Sequence, residues 1–415
     1  MSKATELTTP APAATSATGT PLAGWLAVIS VAVGIFSVVT SEMLPVGLLT
    51  SIGTDLDVSD GTAGLAVTVP GLVAAVSAPL VTTAVGRLDR RLVLCGLMAL
   101  LATANLLSAF APGFAVLLTA RVLVGVSIGG VWSIAGGLAV RLVPERSVGT
   151  ATALIFSGIA VASVLGVPAG TLIGDLADWR TAFAVVGVLA LAVLIALACL
   201  LPPLPATGTV RLGEVPGLLR NPRLRSVLAV TLLLVTGHFG AYTYVRPVLE
   251  DVSGVGTGLI STLLLVYGLA GITGNFVAGA AAQRDARRTA LALSALLAAA
   301  ELALPLLGRG PVGATALLLL WGVAYGGVSV TTQTWVTDAA PHTREAASAL
   351  FVGAFNVAIA LGALLGGQVA DRTTLSGVLW CGGALAVLAL LTAALSGRGD
   401  RTSKDPAAGS AAGSA

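Results

Sequence analysis

Charge is what this chain has least of. Only 10% of its 415 residues are Asp, Glu, Lys or Arg, while 56% are hydrophobic; soluble proteins carry about a quarter charged residues. That composition leaves too little polar surface to clothe a water-soluble fold. Cysteine is scarce as well: Cys95, Cys199 and Cys381 are an odd number, each inside an apolar run. They are expected to be buried fillers, with no disulfide or metal role. The chain lacks a nucleotide-binding Gly-rich loop, a metal-ligand cluster and a Ser/His/Asp set, so no enzyme, cofactor or ATP drive is expected within it. Residues 1–24, rich in Thr, Ala, Ser and Pro, lack the charged start and cleavage site of a signal peptide and read as a disordered tail. The Gly/Ala/Ser-rich residues 397–415 read the same way. The net charge of +3 and pI near 9.0 do not indicate nucleic acid, because the basic residues lie in short loops.

What is present is apolar sequence in runs of around 20 residues, the length a helix needs to cross a ~30 Å hydrocarbon layer. Helices are expected near 25–49, 64–84, 92–111, 115–138, 150–174 and 180–201, then near 226–247, 258–281, 289–308, 312–336, 345–369 and 376–396. The fold class is thus an all-α polytopic membrane protein of twelve transmembrane helices. Its halves are 25–201 and 226–396, joined by a polar linker at 202–225. The 51 glycines suit it, since small residues let helices in lipid approach closely. The halves also repeat each other. Adding 197 carries Gly71 onto Gly268, Gly125 onto Gly322, Gly129 onto Gly326, Pro144 onto Pro341 and Gly170 onto Gly367. It carries Arg87, Arg90 and Arg91 onto Arg284, Arg287 and Arg288. A constant offset of this extent indicates duplication and two pseudo-symmetric six-helix halves.

Basic residues fix the expected orientation. With both termini taken as cytoplasmic, the inner segments hold seventeen Lys and Arg, from Lys3 through the linker's Arg211, Arg220, Arg223 and Arg225 to Lys404. The outer loops hold four: Arg180, Arg246, Arg309 and Arg372. That is a strong positive-inside bias, and it predicts a multi-pass cell-membrane protein, bacterial inner membrane in type, with both ends inside.

Several stretches resemble a known family. Gly86-Arg87-Leu88-Asp89-Arg90-Arg91 is similar to the helix 2–3 loop motif of the major facilitator superfamily, with the arginines kept and the motif's Asp replaced. Arg121-x-x-x-Gly125 resembles the helix 4 motif associated with proton coupling, and Gly166-Val-Pro168-Ala-Gly170 resembles the helix 5 signature of antiporters. Ser41-Glu42-Met-Leu-Pro45, Gly129-Gly130-Val-Trp132-Ser133 and Tyr242-Thr243-Tyr244-Val-Arg246-Pro247 resemble the drug/proton-antiporter-like efflux branch, including arabinose-type and purine ribonucleoside efflux pumps. The resemblance covers residues 25 to 396 and implies a monomeric carrier in the lipid bilayer. Its partners would be a small-molecule substrate and protons.

Ionisable groups inside the apolar runs then need a reason, because each is costly in hydrocarbon. Glu42 and Arg121 fall at one depth, in helices 1 and 4, which the resemblance places side by side. They are expected to form a protonation-dependent pair; the plainer alternative is a static ion pair, or a Glu42 that reaches the interface past Pro45. His238, near the middle of helix 7, is a third proton-coupling candidate, or else a neutral histidine donating to a carbonyl. Tyr242, Tyr244, Arg246, Trp132, Ser133, Gln333 and Asn356 are candidates for a substrate cavity, with packing as the alternative, and at most one of the two tyrosines should face it. Glu301 is expected to snorkel or to make a helix-packing hydrogen bond. Gly125, Gly129, Gly166 and Gly170 are expected to give bare backbone for close contact, and Pro168 to bend helix 5. The loop arginines Arg87, Arg90, Arg91, Arg284, Arg287 and Arg288 either cap helix C-terminal carbonyls or serve topology alone.

The reading is proton-coupled efflux of a small polar organic compound such as a nucleoside, sugar or antibiotic. The alternatives are an importer on the same fold and a non-transporting membrane sensor.

Overall fold

The computed structural model describes residues 21–84, 88–135, 137–205, 215–341 and 343–396. Most of both expected tails and part of the linker, with Lys3, Arg87, Arg211, Arg398, Arg401 and Lys404, lie outside them. Eleven helical stretches are long and apolar enough to cross a membrane. One of them, Thr257–Leu307, is two helices, because Asp285 breaks it with an extended backbone (φ −159°, ψ 92°). The twelve helices are α1 (Pro21–Leu56), α2 (Leu65–Ala84), α3 (Arg90–Ala109), α4 (Phe114–Ala135), α5 (148–176) and α6 (Trp179–Leu200) in the first half. The second half holds α7 (Pro222–Tyr242), α8 (257–284), α9 (286–307), α10 (310–339), α11 (Arg344–Arg372) and α12 (Leu375–Ser396). No strand occurs among the described residues.

Polar residues between the apolar runs set where helices begin. Asp89 caps α3 by accepting from Arg91 N (2.8 Å), Asp178 caps α6 from Thr181 N (2.6 Å), and Asn221 caps α7 from Arg223 N (3.0 Å). Each satisfies a backbone donor that a helix start leaves free. The Thr181 bond also holds the Asp178 carboxyl below its usual range. In α5, a π-helical turn at Ala162–Gly166 precedes Val167-Pro168. Pro168 has no N–H for the carbonyl four residues back, and its ring crowds that carbonyl, so the widened turn absorbs the mismatch.

Within each half, α2 packs on α4 and α8 on α10, α3 on α6 and α9 on α12. The halves meet along α2–α11 and α5–α8. There a Cβ at Gly71 would stand 3.1 Å from Ala360, and one at Gly268 would stand 2.8 Å from the Val164 backbone. Bare glycine backbone is what permits these approaches.

The repeat is real but slips. Gly125 faces Pro70 and Val73 as Gly322 faces Tyr267 and Ala270, an offset of 197 for α2/α8 and α4/α10. By contrast, Gly187 faces Leu106 as Gly383 faces Leu302, and Gly166 faces Thr40 as Gly362 faces Thr236. Those pairs give 196 for α3/α9, α6/α12, α1/α7 and α5/α11. Gly170 therefore matches Gly366, not Gly367, and Arg91 matches Arg287. Loops absorb the extra residue because little packing depends on their length.

Two further expectations fail. Cys199 is exposed and the other two cysteines are half-buried, so they are not core fillers. Asp55 belongs to α1, whose helix runs past residue 49 to Leu56.

Candidate functional site

Arg121 is fully buried in the first half. Its guanidinium donates to the Ser41 carbonyl (2.9 Å) and to Ser108 Oγ (3.1 Å), and lies 4.8 Å over the Phe183 ring. Ser41 in turn donates its hydroxyl to Asn105 Oδ1 (3.0 Å). This polar knot lies inside the bundle of α1, α3, α4 and α6. Glu42 is not part of it: Glu42 and Arg121 form no ion pair, and Glu42 Oε1 has no hydrogen-bond partner. Matched depth was not enough, because successive helical residues point about 100° apart. Ser41 faces Arg121, whereas Met43 and Val46 pack against the second half's core. Glu42 shares that side and lies within electrostatic reach of Tyr325 on α10.

Across the boundary, His238 sits in a nest of rings. It stacks on Tyr325 (centroids 3.2 Å apart, planes at 9°) and on Tyr242 (5.0 Å, 19°), and Tyr242 stacks on Tyr267 (4.8 Å). Trp321 Nε1 donates to His238 Nδ1 (2.9 Å). The ring is thus an acceptor from an indole at Nδ1, not the expected donor to a carbonyl from that nitrogen. The Tyr325 hydroxyl has no partner. Glu301 also points inward: it is 0% exposed, and neither carboxylate oxygen is hydrogen-bonded. It does not snorkel and makes no helix-packing bond. The reason is its face on α9, which meets α12 where Gly382 leaves room for Glu301 Oε2.

The far end of the bundle, opposite the linker, is closed between halves. Arg246, just beyond α7, donates to the Gly47 carbonyl (2.7 Å), Asp175 (2.9 Å) and Glu250 (3.0 Å). Thr50 donates to Glu250 (2.9 Å), and Asp371 accepts from Gly61 N (3.0 Å) and Ser59 (2.9 Å). Tyr244 donates to the Ala363 carbonyl (3.0 Å) and lies against Gly64 and Gly367. Arg246 and Tyr244 therefore belong to a closure and not to a substrate cavity; only Tyr242 joins the ring nest. At the linker end the buried clusters segregate by half, one around 27–39, 93–102, 131–155 and 193–204, the other around 218–228 and 336–351.

The other expected cavity residues are not brought together. Trp132 stacks on Phe156 (6.2 Å), and the exposed Ser133 donates to the Gly130 carbonyl. Gln333 donates to Ser348 (2.6 Å), and Asn356 to the Val352 carbonyl (2.9 Å). Gly125, Gly129, Gly166 and Gly170 face neighbouring backbone or side chains that a Cβ would strike. Arg91 donates to the Ala198 carbonyl at the end of α6, and Arg287 to Ala393 (2.8 Å) and Ala394 (2.7 Å) at the end of α12. Arg288 pairs with Asp285 (3.1 Å), Arg284 is exposed, and Arg90 N donates to the Leu204 carbonyl (2.8 Å). Tyr267, Trp321, Tyr325, Asp175, Glu250 and Asp371 were missed. Scarcity was the available signal for the rings: the chain has four tyrosines, and three of them meet here.

Comparison with known proteins adds the following. The family model described as Major Facilitator Superfamily matches residues 31–363. A Pseudomonas aeruginosa protein named transcription regulatory protein OpdE is 35% identical over 390 residues, spanning 92% of this chain and 95% of that protein. Among solved structures, a bacterial homologue of the human lysosomal transporter Spinster, inward-facing and unoccupied, aligns with TM-score 0.72 at 16% identity, covering 92% of this chain and 98% of that one. The human organic anion transporter MFSD10 (TETRAN) aligns with TM-score 0.65 at 19% identity, covering 90% and 100%.

Proposed function

From the premise that this chain belongs to the Major Facilitator Superfamily, and so is a multi-pass membrane protein of a transporter family, we propose a proton-coupled exporter. Its substrate is a small polar organic compound such as a nucleoside, sugar or antibiotic. The observation that carries the reading is Glu42: a buried, unpaired carboxyl on the side of α1 that faces the other half. A group at a boundary that opens and closes meets a different environment in each state, which is the requirement for coupling. His238 and Arg121 complete the proton-coupling set. Tyr242, Trp132, Ser133, Gln333 and Asn356 are the substrate-contact set in this reading, held apart from one another in the state seen here. The far-end closure and the segregated clusters at the linker end support an inward-facing state, the conformation in which the Spinster homologue was solved. The positive-inside count supports a cell-membrane protein with the linker end and both termini cytoplasmic.

The test has two arms. Metabolites exported by cells with and without the protein are compared without preselection. Inverted vesicles holding a pH gradient are then given inosine, guanosine or arabinose, and proton release is followed. Uptake into inverted vesicles with proton efflux supports export; the opposite direction establishes an importer, and no substrate-dependent flux in either arm defeats the transport reading.

The name of the P. aeruginosa relative motivates one further reading, a membrane protein that affects transcription. A carrier does this by changing the concentration of a metabolite. If Arg121→Ala abolishes export and leaves an effect on gene expression intact, a sensor role replaces the carrier role.

A further inference from the structure

The two halves fill the same slot with opposite chemistry. At the offset of 196 set by the Gly187–Leu106 and Gly383–Leu302 contacts, Asn105 on α3 corresponds to Glu301 on α9. Around Asn105 the first half is polar. Ser41 donates to its side chain, and Arg121 ties Ser41 to Ser108 under Phe183. The residues at the corresponding positions of the second half are Gly237, Leu318, Leu304 and Leu379, and the three leucines are fully buried. Every donor and the one cation have been removed, and the neutral amide has become an acid.

An ionised carboxylate in that setting has neither a counter-ion nor a hydrogen bond, so the neutral acid occupies it here. The ionisable groups that interact with it electrostatically are Tyr267 on α8, Tyr325 on α10 and Cys381 on α12; none is a standing cation. A neutral acid with both oxygens unused is itself a poor core group beside leucine. Its oxygens must therefore find partners in another state.

Resting on the proton-coupled reading above, we propose that Glu301 is the carboxyl that carries the coupled proton, loaded while the far end is open, still holding it in the conformation seen here, and emptied toward the linker end. Its neighbours suit both steps. His238, Tyr242, Tyr267 and Tyr325 form one stack in the same half, with N–H and O–H groups to pass a proton. Gly237 and Gly382 present bare backbone between α7 and α12, so α7 can shift when Arg246 beyond its end releases Gly47 and Asp175. On release the Glu301 O–H bond breaks, the electron pair stays on the carboxylate, and the proton passes to water between the halves at the linker end.

The test uses the full chain in lipid nanodiscs and needs no substrate. Infrared difference spectra in H2O and D2O report protonated carboxyl groups. The expected result is a protonated-carboxyl absorption at neutral pH from which Glu301→Gln removes one component and Glu42→Gln another, and in which the Glu301 component exchanges faster with D2O in Arg246→Ala, as the far end opens and admits water. A hydrophobic carbodiimide, which adds to protonated carboxyls, should label Glu301 in the wild type, as read by mass spectrometry; this arm stands if Glu301→Gln does not fold. Wild-type protein with no such band and no label overturns the proposal. So does a Glu301 component that fails to exchange with D2O in Arg246→Ala protein whose far end spin labels show to be open, since Glu301 is then a fixed structural acid. A protein that shows the band and the label but moves no proton with any substrate refutes the exporter reading, and the carrier role with it. A protein that exports with proton exchange but lacks the band refutes Glu301 alone.

Discussion

Arg246→Ala should open the far end. Of the three groups that its guanidinium bonds, Gly47 O and Asp175 belong to the other half, at 2.7 and 2.9 Å. Glu250 is on its own segment and keeps a second partner in Thr50. Removing Arg246 therefore leaves the open state nearly untouched and takes two cross-half bonds from the closed one. A hydrogen bond involving a charged group contributes about 1.5–3 kcal/mol. The Asp175 side chain is 20% exposed, and water screening reduces its share. The closed state should thus lose about 2–4 kcal/mol, a population shift of roughly thirty- to several-hundred-fold at tenfold per 1.4 kcal/mol. Spin labels at the exposed Ala177 and Thr257, one at each side of the closure, convert this into a distance distribution. The short-distance population should fall in Arg246→Ala and fall less in Arg246→Lys, which keeps the charge but not the planar fork. An unchanged distribution in folded Arg246→Ala protein would refute the closure.

Reporter fusions after residue 210 and at the C-terminus should both report the cytoplasm; one outside would break the twelve-helix topology. Arg121→Ala should lower transport about a hundredfold, as loss of two charge-assisted bonds of about 1.5 kcal/mol each implies, and Arg121→Lys should rescue poorly because an ammonium cannot bridge Ser41 and Ser108 from the same stem. Normal efflux from the Lys variant would mean that charge alone matters. Gly274→Ala drives a Cβ into the Val323 backbone, whereas Gly353→Ala meets nothing within 4 Å. The first should lower thermal stability by about 1–3 kcal/mol and the second should be neutral; equal melting of both would show that the α8–α10 contact is soft.

Helices were legible because lipid imposes a length and a composition on them, and each apolar run became a helix within a few residues of its expected ends. The break at Asp285 was legible too, since polar residues at 283–288 interrupt the run. What sequence did not carry was rotation about the helix axis. Depth along α1 and α4 put Glu42 and Arg121 level, but which of two adjacent residues meets Arg121 depends on packing, and Ser41 does. Glu301 failed for a related reason. A helix placed at the periphery still has one inward side, and only the burial of Glu301 and its contact with Gly382 reveal that it is on it. The repeat misled by a single residue, because loops can gain one without disturbing any contact that keeps the helices in register.

That one-residue slip changes what the duplication means. At a uniform offset of 197, Asn105 would answer to Leu302 and Ser41 to His238, and the halves would look like unrelated polar decorations of one scaffold. At 196, Glu42 answers to His238, and both are buried groups near the boundary between halves. Asn105 then answers to Glu301, and both lie one layer behind. The halves share the positions and divide the chemistry. The first spends its polar groups on holding Arg121, with two of three guanidinium nitrogens bonded to fixed oxygens. The second leaves Glu301 unbonded among leucines, beside a stack of rings with hydrogens to pass. A carrier that rocks needs both conditions, a half whose buried charge is held in place and a half whose buried charge can change. Duplication followed by exchange at Ser41/Gly237, Ser108/Leu304, Arg121/Leu318 and Phe183/Leu379 produces that division while the same helices stay paired in each half.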